Sequence, residues 1–422
     1  MQHIKVPYGT AYQEADLPDQ IPVQVINPTC PRVEATAETL IEAALDHPIG
    51  SPRLEELARP EDNVLLIVND QTRPGPNAEM AAAVVRRLNG CGVPDSQITI
   101  LIATGSHRAP TDAELTTLVG RDLMQRIRVV SHDCKQNNVC IGNTESGVPL
   151  YVDRLAAEAS FIVTTGLIAP HKAAGFSGGR KSIVPGVAGI ETLHIHHSLP
   201  IRPFEPALGW FEENPFHKVA LEAARRVNVR FILNAVQDTQ KQNIAFVAGE
   251  LDEAHCAGVR ICREHNTVEC DRRADVIIAS PGGAPRDCNL YQTQKALATA
   301  EVFAEKTGEV VFILTARAED GIGPDRFQEW LIEGKTPDDV IERFRREGFD
   351  VGTNKAFEYA RARKKGRIII VSENVDPDRL HAMKLDWAPT LQAAVDMTLQ
   401  AFTPRQVIVL PKAVSLIPHF AD

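Results

Sequence analysis

The sequence FIVTTGLIAPHKAAGFSGGRKSIVPG, residues 161–186, joins an apolar run to a glycine-rich basic loop. The run at 161–167 is typical of a buried strand, and the loop after it would present N–H groups and cations to an anion. Neither the Walker pattern G-x-x-x-x-G-K-[ST] nor the dinucleotide pattern G-x-G-x-x-G occurs here, so no standard nucleotide loop is predicted. A surface turn with a basic tip is the alternative interpretation.

The chain before this stretch repeats an order of strand, polar loop and helix. Apolar runs at 64–68 and 98–103 predict two more buried strands. This order predicts an α/β fold with mainly parallel sheets flanked by helices. Ligands bind such sheets beyond the carboxyl ends of the strands. The loops at 70–73, 106–108 and 171–181 are therefore expected to share one edge.

The second half of the chain predicts a separate unit. A new apolar run at 274–280 is broken by PGGAP, and a helix carrying Tyr291, Gln292 and Lys295 follows. We predict an N-terminal domain at 1–265, with 403–422 as a candidate completing segment, and a C-terminal α/β domain at 270–400. Tyr291 and Lys295 are four residues apart and share a helix face. An ordinary helix start with tyrosine packed on a lysine stem is the alternative.

Composition excludes several classes of protein. The chain has 422 residues, 44% of them hydrophobic, and a net charge of −10, which argues against general nucleic-acid binding. Its apolar runs are shorter than the roughly 18 residues of a membrane span, and no apolar signal core follows Met1. Eight cysteines without a C-x-x-C pair fit reduced thiols in a cytoplasm.

Three histidines occur within four residues at His194, His196 and His197. Imidazole is a common metal ligand, so this cluster suggests a metal site. A surface cluster without a ligand is the alternative, and the spacing does not choose between them.

Taken together, these segments resemble the nickel-dependent lactate racemase family over nearly the whole chain. Each signature is weak alone, but five in one order with matching spacing seldom arise by chance. The signatures are Asp70-x-x-Arg73, Gly105-Ser106-His107-Arg108, the segment from Pro170-His171 to Lys181, His197, and Tyr291-Gln292-x-x-Lys295.

The resemblance implies two domains with the active site at their interface, and a nickel-pincer cofactor. That cofactor is a pyridinium-3,5-bisthiocarboxylic acid mononucleotide, joined to the lysine that matches Lys181 through a thioamide. The nickel ligand from the protein matches His197, which we prefer to His194 and His196 for its distance from Lys181.

The resemblance also implies roles for the other residues of the site. His107 and His171 match the catalytic acid/base pair. Arg73, Gln292 and Lys295 match substrate-binding residues. The remaining expected cofactor-binding residues are Asp70, Thr72, Gly178, Gly179, Arg180 and Tyr291. The sequence assigns no pocket role to Trp330 or Trp387.

The expected reaction is racemisation or epimerisation of a 2-hydroxy acid such as lactate, by hydride transfer to and from the cofactor. The α-hydrogen beside a carboxylate is poorly acidic, so hydride removal avoids a carbanion but needs an acceptor that no side chain supplies. Two bases on opposite sides would serve both enantiomers. The alternatives are a larger or acidic 2-hydroxy acid, an NAD-dependent dehydrogenase, or a non-catalytic metabolite binder.

The expected partners are a small 2-hydroxycarboxylate and the proteins that mature the cofactor. Nucleic acid and membranes are not expected partners, a cytoplasmic location is expected, and the oligomeric state stays open.

Overall fold

Strands and helices alternate along most of the chain, as predicted. The computed structural model describes residues 1–27, 31, 33–238 and 241–420. The strands are β1 (Gln2–Tyr8), β2 (Ala11–Leu17), β3 (Val23–Val25), β4 (Val64–Asn69), β5 (Ile98–Ala103), β6 (Arg128–Ser131), β7 (Asn138–Asn143), β8 (Pro149–Asp153), β9 (Phe161–Ile168), β10 (Pro170–His171), β11 (Gly175–Phe176), β12 (Val229–Gln237), β13 (Asn243–Gly249), β14 (Thr267–Cys270), β15 (Val276–Ala279), β16 (Val311–Thr315), β17 (Arg367–Val371), β18 (Asp386–Ala388), β19 (Val407–Leu410) and β20 (Ile417–Phe420).

Most of the helices lie between these strands in the chain. They are α1 (Ala37–Asp46), α2 (Leu54–Leu57), α3 (Asn77–Gly90), α4 (Asp112–Val119), α5 (Arg121–Arg126), α6 (Arg154–Glu158), α7 (Ile190–His196), α8 (Pro215–Arg226), α9 (Glu253–Asn266), α10 (Leu290–Phe303), α11 (Asp325–Glu333), α12 (Pro337–Glu347), α13 (Thr353–Lys365), α14 (Pro377–Ala382) and α15 (Leu391–Ala401). None of the described helices is long and apolar enough to cross a membrane.

The first sheet has six strands in the order β13-β12-β9-β4-β5-β6. Its pairs are parallel except β12 with β13. Both faces are covered, which explains why β4 is apolar at successive positions. Leu66 packs with residues of helices α1–α5, and its neighbour Leu65 packs with residues of α6–α9 on the other face.

The second sheet also has six strands, in the order β18-β17-β16-β15-β19-β3, and all its pairs are parallel. Ile277 packs with α10, α11, α12 and α13 on one face. Ile278 packs with α15 and the β1–β2 hairpin on the other. Trp330 and Trp387 contribute to the core of this unit.

Segments near both ends of the chain, β3 and β19, pair within the second sheet. The limits predicted from the sequence place both segments with the first domain, at 1–265 and, as a candidate completing segment, at 403–422. Instead, β3 pairs with β19, and β19 pairs with β15 inside the second sheet. Apolar periodicity identifies a strand but not its distant partner, so the sequence could not choose the sheet. The predicted division near 265–270 stays a prediction.

A buried ion pair fixes helices α10 and α13 against the segment that leads out of the first unit. Arg361 donates to both carboxylate oxygens of Glu301, at 2.8 and 2.7 Å, and both side chains are almost fully buried. Arg361 also donates to the carbonyl oxygen of Phe204. The pair therefore ties two helices of the second unit to the connecting segment.

We expect Glu301→Gln to destabilise the second unit by about 3–5 kcal/mol, because it leaves the buried guanidinium of Arg361 without its carboxylate. The midpoint of urea unfolding, followed by the fluorescence of Trp330 and Trp387, measures the effect. Glu333→Gln is the control, since its pair with Arg343 lies at the surface and contributes about 0–1 kcal/mol. Equal midpoints for the two variants would contradict the assignment.

Candidate active site

The loops after β4, β5 and β9 meet around one cavity of about 150 Å3. These are the three loops that the sequence placed at a common edge, and that prediction is confirmed. The cavity wall includes Asp70, His107, His171, Lys181 and His197. The carboxyl edge of the first sheet thus gathers a carboxylate, three imidazoles and an amine.

His107 is oriented by a buried carboxylate. Its Nδ1 lies 2.7 Å from Oδ2 of Asp70, a side chain that is 3% exposed. The other oxygen of Asp70 accepts from the hydroxyl and the backbone N–H of Thr72, at 2.7 and 3.2 Å. Thr72 therefore positions the carboxylate of Asp70, and Asp70 in turn orients the ring of His107.

The protonation of this pair follows from its contacts. Burial alone would raise the pKa of Asp70, but hydrogen bonds from His107 and Thr72 bring that pKa below its usual value. An ionised carboxylate only accepts, so Nδ1 of His107 carries a hydrogen, and in the neutral ring the lone pair is on Nε2. His107 is set up as a base.

His171 has the opposite arrangement. Its Nδ1 accepts from the backbone N–H groups of Ala173 and Ala174, at 3.1 and 3.0 Å. The hydrogen of the neutral ring is therefore on Nε2. Burial lowers the pKa of His171 well below its usual value, and the charges of Lys181 and Arg73 act in the same direction. His171 is neutral and offers a donor.

Lys181 carries an amine suited to bond formation. Burial lowers its pKa well below the usual value, and the charges of Arg180 and Arg73 add to that effect. Its Nζ lies 5.1 Å from the ring centre of Phe216. A lysine that loses its proton by burial becomes a nucleophile, so covalent attachment of a ligand fits this position.

The three clustered histidines have three different surroundings. His194 lies 2.6 Å, through Nδ1, from the carbonyl oxygen of Phe349 in the second unit. His196 is buried, with Nε2 2.9 Å from the carbonyl oxygen of Phe216. His197 lines the cavity, and its buried Nδ1 has no hydrogen-bond partner within the described residues. Of the three imidazoles, that of His197 is the one in the described cavity wall, and its role as a ligand to a metal stays a prediction.

Arg180 and the glycines before it are placed differently from the sequence expectation. Arg180 is buried beneath the loop, where it donates to carbonyl oxygens of the loop and to Nε2 of His255. The N–H of Gly179 donates to the side chain of Asn234 at 2.8 Å. Both groups are thus hydrogen-bonded within the protein under the loop, and the structure does not present them to a phosphate.

The glycines are needed for packing under the loop. A Cβ on Gly178 would lie 2.5 Å from Oδ1 of Asn234, and one on Gly179 would lie 2.8 Å from the ring of His255. Both residues also have positive φ angles. Gly178 still lines the cavity, whereas Gly179 serves the shape of the loop.

The predicted residues of the second unit do not line the described cavity, but Lys295 lies close enough to Arg73 for the charge of Arg73 to act on it. Burial lowers the pKa of Lys295 to about 7, and the charges of Arg73 and Lys172 contribute to this shift. Tyr291 and Gln292 are half-buried on the same helix, α10. The pKa of Lys295 is therefore lowered in part by cationic residues of the first unit across the interface.

The second unit contributes Phe349 to the described wall of the cavity. Its backbone is held by the hydroxyl of Ser198 and the imidazole of His194, each at 2.6 Å. Its ring centre lies 4.9 Å from that of His197. No local sequence pattern points to Phe349, because its position depends on contact between distant segments.

Models of two protein domains match the chain, the lactate racemase N-terminal domain at residues 8–207 and the lactate racemase C-terminal domain at 269–418. The lactate racemase of Thermoanaerobacterium thermosaccharolyticum is 33% identical over 429 positions, covering 99% of both chains. The chain belongs to the lactate racemase family. A second lactate racemase, from Lactiplantibacillus plantarum, is 35% identical and covers 89% of this chain and 90% of its own.

Solved structures agree with this family assignment. The apoprotein structure of the lactate racemase from T. thermosaccharolyticum matches with a TM-score of 0.90 and 31% identity, covering 99% of this chain and 100% of that one. A Thermotoga maritima protein matches with a TM-score of 0.69 at 18% identity, covering 92% and 98% of the two chains, and shows a common fold. The predicted α/β fold class and family resemblance are confirmed.

We expect Asp70→Asn to move the hydrogen of His107 from Nδ1 to Nε2, because the new amide can donate to Nδ1. The 15N chemical shifts of the imidazole measure this change directly. Turnover that needs His107 as a base should fall, by about 10⁴-fold in a comparable Asp–His pair. Asp133→Asn is the control, since Asp133 is exposed and caps a turn. Unchanged shifts in Asp70→Asn would exclude this role.

Proposed function

We propose that this protein is a 2-hydroxy acid racemase that uses a nickel-pincer nucleotide attached to Lys181. Its relatives are named lactate racemases, and an isomerase of this family needs an acid/base group for either enantiomer. The observation that supports the proposal is that His107 offers an acceptor and His171 a donor to one cavity.

The residues present fit the proposed cofactor. Lys181 supplies a half-buried amine with a lowered pKa for the thioamide, and His197 supplies an imidazole whose Nδ1 is unpartnered in the described structure. The described residues contain no cluster of three His, Cys, Asp or Glu side chains that could hold a metal. One imidazole from the chain and soft donors from the cofactor would suit nickel. When bound, the nucleotide supplies a hydride acceptor that no side chain offers.

The chain's own residues then handle the proton and the carboxylate. Nε2 of His107 takes the proton of the substrate hydroxyl, and Asp70 stabilises the resulting imidazolium. His107 would give that proton back to the keto oxygen when the keto acid is reduced again, and the Nε2–H of His171 would donate a hydrogen bond to the same oxygen. Arg73 and Lys295 suit the substrate carboxylate, since a guanidinium can bind it through two hydrogen bonds. The proteins that mature the cofactor are partners under this proposal.

Intact mass under denaturing conditions tests the attachment. We expect an added mass of cofactor size when the protein is made together with the cofactor's biosynthetic enzymes, and none in Lys181→Ala. Lys135→Ala, at an exposed position, is the control and should keep the adduct. Unmodified wild-type protein, made in cells where the free cofactor is verified, would remove covalent attachment.

Racemisation in D2O tests the form in which hydrogen leaves C2. We expect the product enantiomer of lactate to keep protium at C2, because hydride that returns to the same carbon does not exchange with water. Mass spectrometry of the separated enantiomers measures this. Deuterium at C2 would mean that the hydrogen leaves as a proton instead. In a separate assay with NAD and lactate, an increase in absorbance at 340 nm would reveal a dehydrogenase.

A further inference from the structure

A buried histidine outside the cavity joins the two loops that carry His107 and Lys181. His132 directly follows β6, and its side chain is fully buried. It does not belong to the described cavity wall, and the proposed mechanism does not use it. Each nitrogen of its ring nevertheless lies within hydrogen-bond distance of an oxygen on a neighbouring segment.

The ring of His132 bridges two acceptors. Its Nδ1 lies 2.8 Å from Oδ2 of Asp153, and its Nε2 lies 3.1 Å from the carbonyl oxygen of Ala188. The other carboxylate oxygen of Asp153 accepts from the backbone N–H of Leu155 at 3.0 Å, where α6 begins. A carbonyl oxygen and an ionised carboxylate only accept hydrogen bonds. Both contacts are therefore hydrogen bonds at once when the ring carries a hydrogen on each nitrogen.

The backbone of His132 is bonded to the loop after β5. Its carbonyl oxygen accepts from the hydroxyl of Thr104 at 2.7 Å, and its N–H donates to the carbonyl oxygen of Ile102 at 3.1 Å. The carbonyl oxygen of Thr104 in turn accepts from the N–H of His107 at 2.9 Å. Thr104 alone therefore links the backbone of His132 to the turn that presents His107 to the cavity.

The ring of His132 contacts the segment that follows Lys181. Ala188, whose carbonyl oxygen faces the ring, comes two residues after Gly186 in the cavity wall. The N–H of Gly186 donates to the carbonyl oxygen of Lys181 at 3.0 Å, and its carbonyl oxygen accepts from the N–H of Gly105 at 2.9 Å. This segment is thus bonded both to Lys181 and to the loop after β5.

Asp153 strengthens the same junction. Its backbone N–H donates to the carbonyl oxygen of Val187 at 2.8 Å, beside the residue that the ring contacts. Its neighbour Val152 forms an isolated bridge with Ala188. The side chains of His132 and Asp153 are 0% and 5% exposed. A buried donor or acceptor that loses its partner at this junction is left unsatisfied, which is unfavourable.

We propose that His132 is a positioning residue of the racemase, whose ring and carbonyl oxygen fix the loop of His107 and the segment after Lys181 relative to each other. This role rests on the proposed function, because it acts through the base His107 and the attachment residue Lys181. Misplacing a reacting group by about 1 Å can lower the rate on the order of 100-fold. His132 thus contributes to turnover without lining the cavity.

A purely structural role is the alternative, since a buried hydrogen-bonded pair also stabilises a fold. The two roles predict different results at temperatures where the protein is fully folded. A structural pair changes the melting temperature and leaves turnover per loaded enzyme as it was. A positioning pair changes turnover and the order of the two loops.

Two replacements of similar shape separate the two bonds of the ring. His132→Asn places an amide N–H near the position of Nδ1 and keeps the contact with Asp153, whereas His132→Gln places one near Nε2 and keeps the contact with Ala188. We expect kcat for lactate to fall by at least about tenfold in both variants, and KM to change by less than about threefold, because His132 orients the base and does not line the cavity. Turnover is expressed per loaded enzyme, with loading measured by intact mass.

Leu88→Ala is the matched control for lost stability. Leu88 is fully buried in the core between α3 and the first sheet, so its truncation lowers the melting temperature. At a temperature where circular dichroism shows all variants to be folded, Leu88→Ala should keep the wild-type kcat. An equal fall in kcat in Leu88→Ala and in the His132 variants would assign the effect to stability and reject the inference.

Hydrogen exchange of the apoprotein supplies a readout without turnover. We expect the amides of Gly105, His107 and Gly186 to exchange faster in both His132 variants, because their hydrogen bonds belong to the junction. Leu88→Ala should leave these amides at the wild-type rate. In the wild type at pH 6, 15N–1H spectra should show a hydrogen on each ring nitrogen of His132.

The inference and the proposed function fail in different ways. Wild-type kcat together with wild-type exchange in both variants would leave His132 with a structural role only. A hydrogen on a single ring nitrogen would remove the bridge between Asp153 and Ala188. No racemisation by loaded wild-type enzyme would instead reject the proposed function, while exchange in the apoprotein would still decide whether His132 holds the two loops.

Discussion

Burial of basic groups is the constraint on which the site depends. The cavity and the interface beside it remove lysines and histidines from water, and the low polarity disfavours their charged forms. His171, Lys181 and His197 all have lowered pKa values for this first reason. Each is thereby available as a neutral donor, nucleophile or ligand. Asp70 is the exception, an anion that its hydrogen bonds keep charged.

The sequence was sufficient to predict the site at the level of loops. Apolar runs identify parallel strands, and parallel strands bring their carboxyl ends to one edge, so Asp70, His107 and His171 could be placed together. The direction of each side chain could not be predicted from the sequence. Arg180 looked like an anion ligand from composition, but its guanidinium satisfies carbonyl oxygens under the loop. The three clustered histidines were likewise inseparable until their neighbours were known.

The interface between the units is as much a part of the site as the loops of the first sheet. Phe349 is held against His197 by Ser198 and His194, so the end of α7 and the two residues after it position a wall of the cavity from the other unit. Lys172 reaches in the opposite direction, from the first unit to Glu358 of the second. These contacts join residues more than 150 positions apart, which is why no local pattern revealed them.

The pairing of β3 with β19 has a consequence for how the chain folds as it is made. Residues 23–25 bond to residues 407–409, so the second sheet cannot close until nearly the whole chain has left the ribosome. The first sheet, formed from residues 64–249, is complete much earlier. N-terminal units generally fold first during synthesis. Here the earliest segment, β1–β3, lacks the second sheet against which its apolar side chains pack until the end of synthesis. During most of translation, the β1–β3 segment is therefore the part of the nascent chain most exposed to aggregation with other chains.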